Sequence, residues 1–84
     1  MNKYLIFREL PNPGRKTKIV VVNSARSGKR LASIHWYGAW RQYTLWPEPD
    51  TIWNDGCLRD ILEYMAEMKA ERAKERAWRP VEAL

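Results

Sequence analysis

The chain has 84 residues, of which 45% are hydrophobic and 30% are charged, and it carries a net charge of +5. These values predict one small globular domain, residues 1–84, and argue against disorder. The single cysteine, Cys57, excludes an intramolecular disulfide and a zinc site built on cysteine pairs. A lone thiol and an N-terminal apolar run of only Tyr4–Phe7 predict an intracellular protein with neither a signal peptide nor a membrane partner.

Three β-strands are predicted in the first part of the chain. Residues 3–9 cluster apolar side chains, and Pro11–Gly14 is a strong turn signal directly after them. Residues 17–23 contain a run of β-branched side chains, which favours a second strand. Ser24–Lys29 is then predicted to be a loop, and residues 30–37 to be the third strand.

A fourth strand would follow a tight hairpin. Gly38 and Ala39 predict a two-residue type II′ loop, because glycine favours its first position. In that register Tyr37 lies opposite Trp40, and the alternating side chains form two faces. The more aliphatic face would take the core and carries Ala32, Ile34, Trp36, Arg41, Tyr43 and Leu45. The second face combines rings with polar groups and carries Leu31, Ser33, His35, Tyr37, Trp40, Gln42, Thr44 and Trp46. This second face is either exposed or covered by the N-terminal segment.

One long helix is predicted over residues 54–78, followed by a short tail, residues 79–84. Asn54 is a good N-cap, and Pro80 stops the helical pattern. Apolar side chains at three- and four-residue spacing would pack on the sheet, and they are Leu58, Ile61, Leu62, Met65 and Met68. We expect the helix, at roughly 36 Å, to overhang strands of roughly 24 Å.

The overhanging turns are predicted to place small side chains inward. The stripe consists of Ala66, Ala70, Ala73 and Ala77 and ends at Trp78. It reflects helix propensity alone or forms a close-packed seam with a second protomer or a host partner.

These elements predict an α+β fold of two layers. A three- or four-stranded antiparallel β-meander would pack one face on the single C-terminal helix. The sheet region is also the basic part of the chain, since residues 1–46 hold nine Lys/Arg and one acid, Glu9. Residues 47–84 hold six Lys/Arg and nine acids. One positive surface is therefore expected, which attracts anionic partners or serves solubility alone.

No complete catalytic, metal or cofactor motif is present in the sequence, so we expect a protein that is not an enzyme and needs no cofactor. Ser27–Arg30 resembles the end of a phosphate-binding loop, but the upstream glycine is replaced by Asn23 and the segment leads into a strand. His35 and Cys57 would form a pair without an orienting third group, so a buried structural role for Cys57 is the stronger prediction.

The candidate binding residues are aromatic and basic side chains. Tyr37, Trp40 and Trp46 would form an exposed stacking platform. The basic side chains that would contact phosphates are Arg15, Lys16, Lys18, Arg26, Lys29, Arg30 and Arg41. Tyrosine, tryptophan and arginine are equally the favoured anchors of protein interfaces, so composition alone leaves both partners open.

The run from Ile34 to Tyr43, with Pro47, Asp50, Thr51 and the Cys57–Leu58 helix start, resembles a group of small proteins of actinobacterial phages. The shared pattern is Trp-Tyr-x-x-Trp-Arg-x-Tyr, followed by a proline–acid turn. The resemblance spans residues 31–68 and implies a phage origin and action in the cytoplasm of a bacterial host. It supplies no catalytic or cofactor-binding residues.

Two functions from different classes follow. The first is an accessory protein that binds and modulates a host protein through the aromatic sheet face, the long helix or both. The alternative is a nucleic-acid-binding protein that uses the basic and aromatic residues of the sheet. Protein binding is slightly favoured, because no nucleic-acid-binding motif is present. Self-association through the helix is a further alternative.

Overall fold

The computed structural model describes residues 4–77, with side chains as far as Lys74. The elements in chain order are β1 (Leu5–Leu10), β2 (Ile19–Ser24), β3 (Arg30–Tyr37), β4 (Gln42–Pro47) and α1 (Asp55–Ala77). The strands form one antiparallel sheet in the order β1-β2-β3-β4, and α1 packs on one of its faces. The predicted two-layer α+β fold is therefore confirmed, with four strands. The helix end at Trp78 and the tail, residues 79–84, lie outside the described residues.

The core lies between the two central strands and the helix. Val20 and Val22 of β2 pair with Ile34 and Ala32 of β3, and all four side chains are fully buried. These four residues share one face because side chains alternate along a strand. The helix contributes Ile61 and Met68 to this cluster, and β1 contributes Leu5.

The start of the helix is the predicted one. The Asn54 Oδ1 atom accepts a hydrogen bond from the Cys57 backbone N–H at 2.8 Å, which satisfies a donor that the first helical turn leaves unpaired. Trp53 packs against the core just before this cap. The indole Nε1–H of Trp53 donates to Thr51 Oγ1 at 2.9 Å and fixes the segment that leads into α1.

The face that the helix turns inward differs from the predicted one. Ile61 and Met68 are buried and Met65 is half-buried, but Leu58 and Leu62 are exposed. The buried face of the helix instead includes Cys57 and Tyr64, which pack against the core. The prediction that the alanines face inward was wrong for Ala66, Ala70 and Ala73, which are all exposed, and the side chain of Ala77 lies outside the described residues.

The hairpin between β3 and β4 has a longer loop than predicted. Tyr37 pairs with Gln42 rather than Trp40, so residues 38–41 form a four-residue loop. Its residue with positive φ is Arg41, at 53°, whereas Gly38 has no positive φ. The predicted type II′ turn was therefore wrong. The register differs by two residues, an even number, so the side chains of residues 32–37 and 42–46 stay on their predicted faces. Leu31, predicted on the second face, packs against the core instead, at a β-bulge in the pairing of β2 with β3.

An ion pair and a stacked pair of aromatic rings hold the helix against the part of the sheet formed by β1 and the start of β2. Phe7 of β1 stacks on Tyr64, with ring centroids 4.3 Å apart. Lys18, just before β2, hydrogen-bonds Glu71 on α1 and lies 3.8 Å from Glu9. The hydrogen bond to Glu71 raises the pKa of Lys18 above its ordinary value, and burial raises the pKa of the Tyr64 phenol.

The turn geometry predicts different responses of two glycines to alanine. Gly28 has a φ of +77°, a conformation that costs an L-residue about 1 kcal/mol, so Gly28→Ala should destabilise the protein by about that amount. Gly38 has ordinary φ and nothing within 4 Å of an added Cβ, so Gly38→Ala should change stability by less than about 0.5 kcal/mol. Urea unfolding followed by circular dichroism checks both values. Equal losses in the two variants would contradict this loop geometry.

Candidate ligand-binding face of the sheet

The face of the sheet opposite α1, here called the open face, carries no carboxylate among the described strand residues. The register places on it Ile6, Arg8, Leu10, Ile19, Val21, Asn23, Ser33, His35, Tyr37, Gln42, Thr44 and Trp46. The described part of the N-terminal segment does not cover this face, because residues 5–10 lie in the sheet itself as β1. The open face is therefore a surface of apolar, polar and basic groups.

Four rings form a contiguous group on or beside the open face, here called the aromatic cluster: His35, Tyr37, Trp40 and Trp46. His35 stacks on Trp46 with centroids 4.8 Å apart, and Tyr37 meets Trp46 edge-on at 6.2 Å. Trp40, in the β3–β4 loop, packs edge-on against Tyr37 at 5.0 Å. The exposed fractions of Tyr37, Trp40 and Trp46 are 37%, 65% and 46%. The three predicted rings therefore lie together and are accessible.

Hydrogen bonds hold the central ring of the cluster in one orientation. The Trp46 Nε1–H donates to Thr44 Oγ1 at 2.8 Å, and the Thr44 hydroxyl donates to the His35 carbonyl at 3.1 Å. The indole N–H is thus satisfied within the protein. What Trp46 presents to a ligand is its ring surface, already oriented, so little side-chain freedom is lost on binding.

The basic side chains of the β2–β3 loop lie toward one end of β3. Arg30 begins β3 and Tyr37 ends it, so they lie about 23 Å apart along the strand. Trp46 pairs with Ser33, three residues from Arg30, or about 10 Å along the strand. Arg26 and Lys29 are in the β2–β3 loop, at the same end as Arg30. Arg30 is therefore remote from Tyr37 but closer to Trp46, and phosphate contact by Arg26, Lys29 and Arg30 stays a prediction.

Three other predicted phosphate contacts are also placed by the fold. Arg15 lines a small pocket beside His35, close to the aromatic cluster. Lys18 is engaged with Glu71 and Glu9 on the helix side and is not available to a ligand of the open face. Arg41 lines the groove between α1 and β4 instead of accompanying the exposed rings. Arg8, which the sequence reading did not select, lies exposed on the open face.

A pairing of Cys57 with His35 does not occur. Cys57 packs against the core between sheet and helix, while His35 stacks on Trp46 on the other side of the sheet. Within the described part of the chain there is no group of three His, Cys, Asp or Glu side chains arranged to hold a metal ion. Across the same residues, no helix has the length and apolar character that crossing a bilayer demands.

Comparison with known proteins places the chain among phage proteins. No family model matches it, and no solved structure matches it. It is 30% identical over 70 residues to an "Uncharacterized 9.3 kDa protein" of Acholeplasma phage L2. The alignment covers 83% of this chain and 90% of that protein. The chain belongs to the family of this phage protein. The phage origin that the sequence resemblance implied is thereby supported.

Exposure of the rings predicts that they can be removed without unfolding the protein. Trp40→Ala and Trp46→Ala should each cost less than about 1 kcal/mol of stability, because both side chains lie at the surface. Ile34→Ala, at a fully buried position, should cost about 2–5 kcal/mol. Urea unfolding of the three variants measures these differences. A loss at Trp46 as large as that at Ile34 would show that the aromatic cluster is part of the core.

Proposed function

We propose that this protein is a non-enzymatic phage accessory protein that binds single-stranded nucleic acid on the open face, in the cytoplasm of the bacterial host. The observation that carries the proposal is the aromatic cluster, three of whose rings are exposed, on a face without a carboxylate among the described strand residues. The narrower assignment to the actinobacterial phage group with the Trp-Tyr-x-x-Trp-Arg-x-Tyr pattern is part of the same proposal.

The geometry of the rings favours unpaired bases over a duplex. Bases in a duplex are stacked on one another, so their flat surfaces are unavailable to protein side chains. A single strand can lay its bases on Trp46 and Trp40, and each stacked base contributes roughly 1–3 kcal/mol. Trp46 is already oriented by Thr44, which lowers the cost of ordering the site.

The charge distribution favours a phosphate-bearing ligand. Arg8 lies on the open face, and Arg15 lies near the aromatic cluster at one end of the sheet. Arg26, Lys29 and Arg30 form a second basic group at the other end. The acidic residues of α1 belong to the layer behind the sheet. A single strand of nucleic acid that crosses the open face would meet cationic side chains at both ends. Between them it would meet the aromatic rings on which its bases can stack.

Host-protein binding through the aromatic cluster is the alternative function, since exposed tryptophan and tyrosine are also typical anchors of protein interfaces. The lack of carboxylates among the described strand residues of the open face favours a ligand that carries phosphates. The rings would contact the partner in either case, so they do not separate the two functions. Salt dependence separates the two, because counterion release makes nucleic-acid binding fall steeply as salt rises.

Anisotropy titration with labelled single-stranded DNA and RNA of about 12 nucleotides tests the proposal. We expect saturable binding that weakens with salt, and Trp40→Ala and Trp46→Ala should each weaken it by roughly 1–3 kcal/mol. Ile52→Ala is the matched control, since Ile52 is a 96% exposed apolar residue outside the strands, and it should leave binding unchanged.

A second pair of variants tests the role of charge. Arg8→Gln should lower affinity and reduce the salt dependence, whereas Arg59→Gln, which removes an exposed cation from α1, should not. No saturable binding to either oligonucleotide at low salt, or equal losses in the Arg8 and Arg59 variants, would contradict the proposal and leave a host protein as the partner of the open face.

A further inference from the structure

A groove of about 350 Å³ lies between α1 and the start of β4, on the helix side of the sheet. Its apolar surface includes Tyr43 of β4 and Leu62 and Met65 of α1. Leu62 is 66% exposed and lies beside the apolar side chains of Met65 and Tyr43, so the three form one accessible apolar surface. The groove is separated from the open face by the sheet itself, so it is a second candidate site.

The small side chains of the helix keep this groove open. Ala66 and Ala73 lie along its helical wall, where longer apolar residues would fill the space against β4. With Leu62 and Lys69 they form the i, i+4, i+7 and i+11 positions of one helix face. The predicted alanine stripe is therefore a surface feature that borders a groove rather than part of the core.

The charges around the groove have one sign. Three cationic side chains line it, Arg41, Lys69 and Arg72, and no carboxylate is among the described lining residues. The nearby acid Glu71 points to the other flank of α1, where it pairs with Lys18. The groove therefore combines an apolar surface with a positive border.

The environment of Arg72 also indicates a partner, independently of the shape of the groove. Its guanidinium stacks over the Trp36 ring, with Cζ 4.6 Å from the centroid. The Arg72 Nε atom is buried and has no hydrogen-bond partner in the protein. A buried donor without an acceptor is costly. The Nε atom itself is out of reach of a partner, but a carboxylate is the strongest acceptor for the other N–H groups of a guanidinium.

We propose that this groove binds an acidic amphipathic helix of a partner protein. Apolar side chains on one face of that helix would lie against Leu62, Met65 and Tyr43, and its flanking carboxylates would pair with Arg41, Lys69 and Arg72. The helical wall from Leu62 to Ala73 is about 17 Å long, which corresponds to about three turns of a partner helix.

A second copy of this chain fits the groove less well. In a symmetric dimer the same patch meets itself, so Lys69 and Arg72 of one copy would face those of the other. Such a contact brings like charges together beside an apolar surface, which is unfavourable. An acidic partner would remove this repulsion and would also supply a carboxylate to the Arg72 guanidinium.

The test uses two labelled synthetic peptides of about 15 residues, one with leucines on one helical face and glutamates elsewhere, and a twin with lysines in place of the glutamates. We expect the acidic peptide to bind at least about tenfold more tightly than its twin. Lys69→Glu should reduce that affinity at least about tenfold, and Arg72→Glu should do the same. Lys74→Glu, on the same helix but outside the groove, should leave it within about twofold.

Circular dichroism checks that each variant is folded, and Lys69→Glu, at an exposed position, remains informative if Arg72→Glu is not. Equal binding of the two peptides, no saturable binding of the acidic one, or equal losses in the Lys69 and Lys74 variants would overturn the proposal. Sedimentation that shows a dimer abolished by Lys69→Glu would also overturn it and assign the groove to a second copy. These outcomes are independent of nucleic-acid binding, which involves the other face.

Discussion

A single helix packs on a four-stranded sheet, and this imbalance determines both candidate surfaces. A helix is about 10 Å across, whereas the axes of four strands span about 14 Å before their side chains are counted. The core therefore concentrates on β2 and β3 against Ile61 and Met68. Residues 4–77 leave one face of the sheet without a second layer, and on the covered face a groove remains between the helix and β4.

The alternation of side chains along the strands made the faces predictable from sequence. The hairpin loop was predicted two residues too short, yet Tyr37 and Trp46 lie on the predicted face, because a shift of two residues preserves a period of two. The start of the helix was equally predictable, because the Asn54 side chain accepts a hydrogen bond from a backbone N–H only three residues away. These features depend on residues that are close in sequence or strictly periodic.

What could not be predicted depends on contacts between distant elements. The apolar residues of α1 cover a broad arc, and only the position of the sheet decides that Tyr64 faces inward while Leu62 does not. Arg30 is separated from Tyr37 by the length of β3, whereas Trp46, which is farther from it in sequence, lies nearer to it through the pairing with Ser33. Arg8 contributes to the open face because β1 pairs with β2, which composition does not reveal.

The central claim is that ligands meet the protein on the open face, and the tryptophans are natural reporters of it. The most direct measurement is a nitrogen–proton NMR spectrum of the indole N–H groups during titration with a single-stranded oligonucleotide. We expect the Trp46 and Trp40 signals to shift, while the signals of Trp36, which lines the groove, and Trp53, which packs on the core, stay in place. Shifts confined to Trp36 or Trp53, or no shift at low salt and excess oligonucleotide, would contradict it.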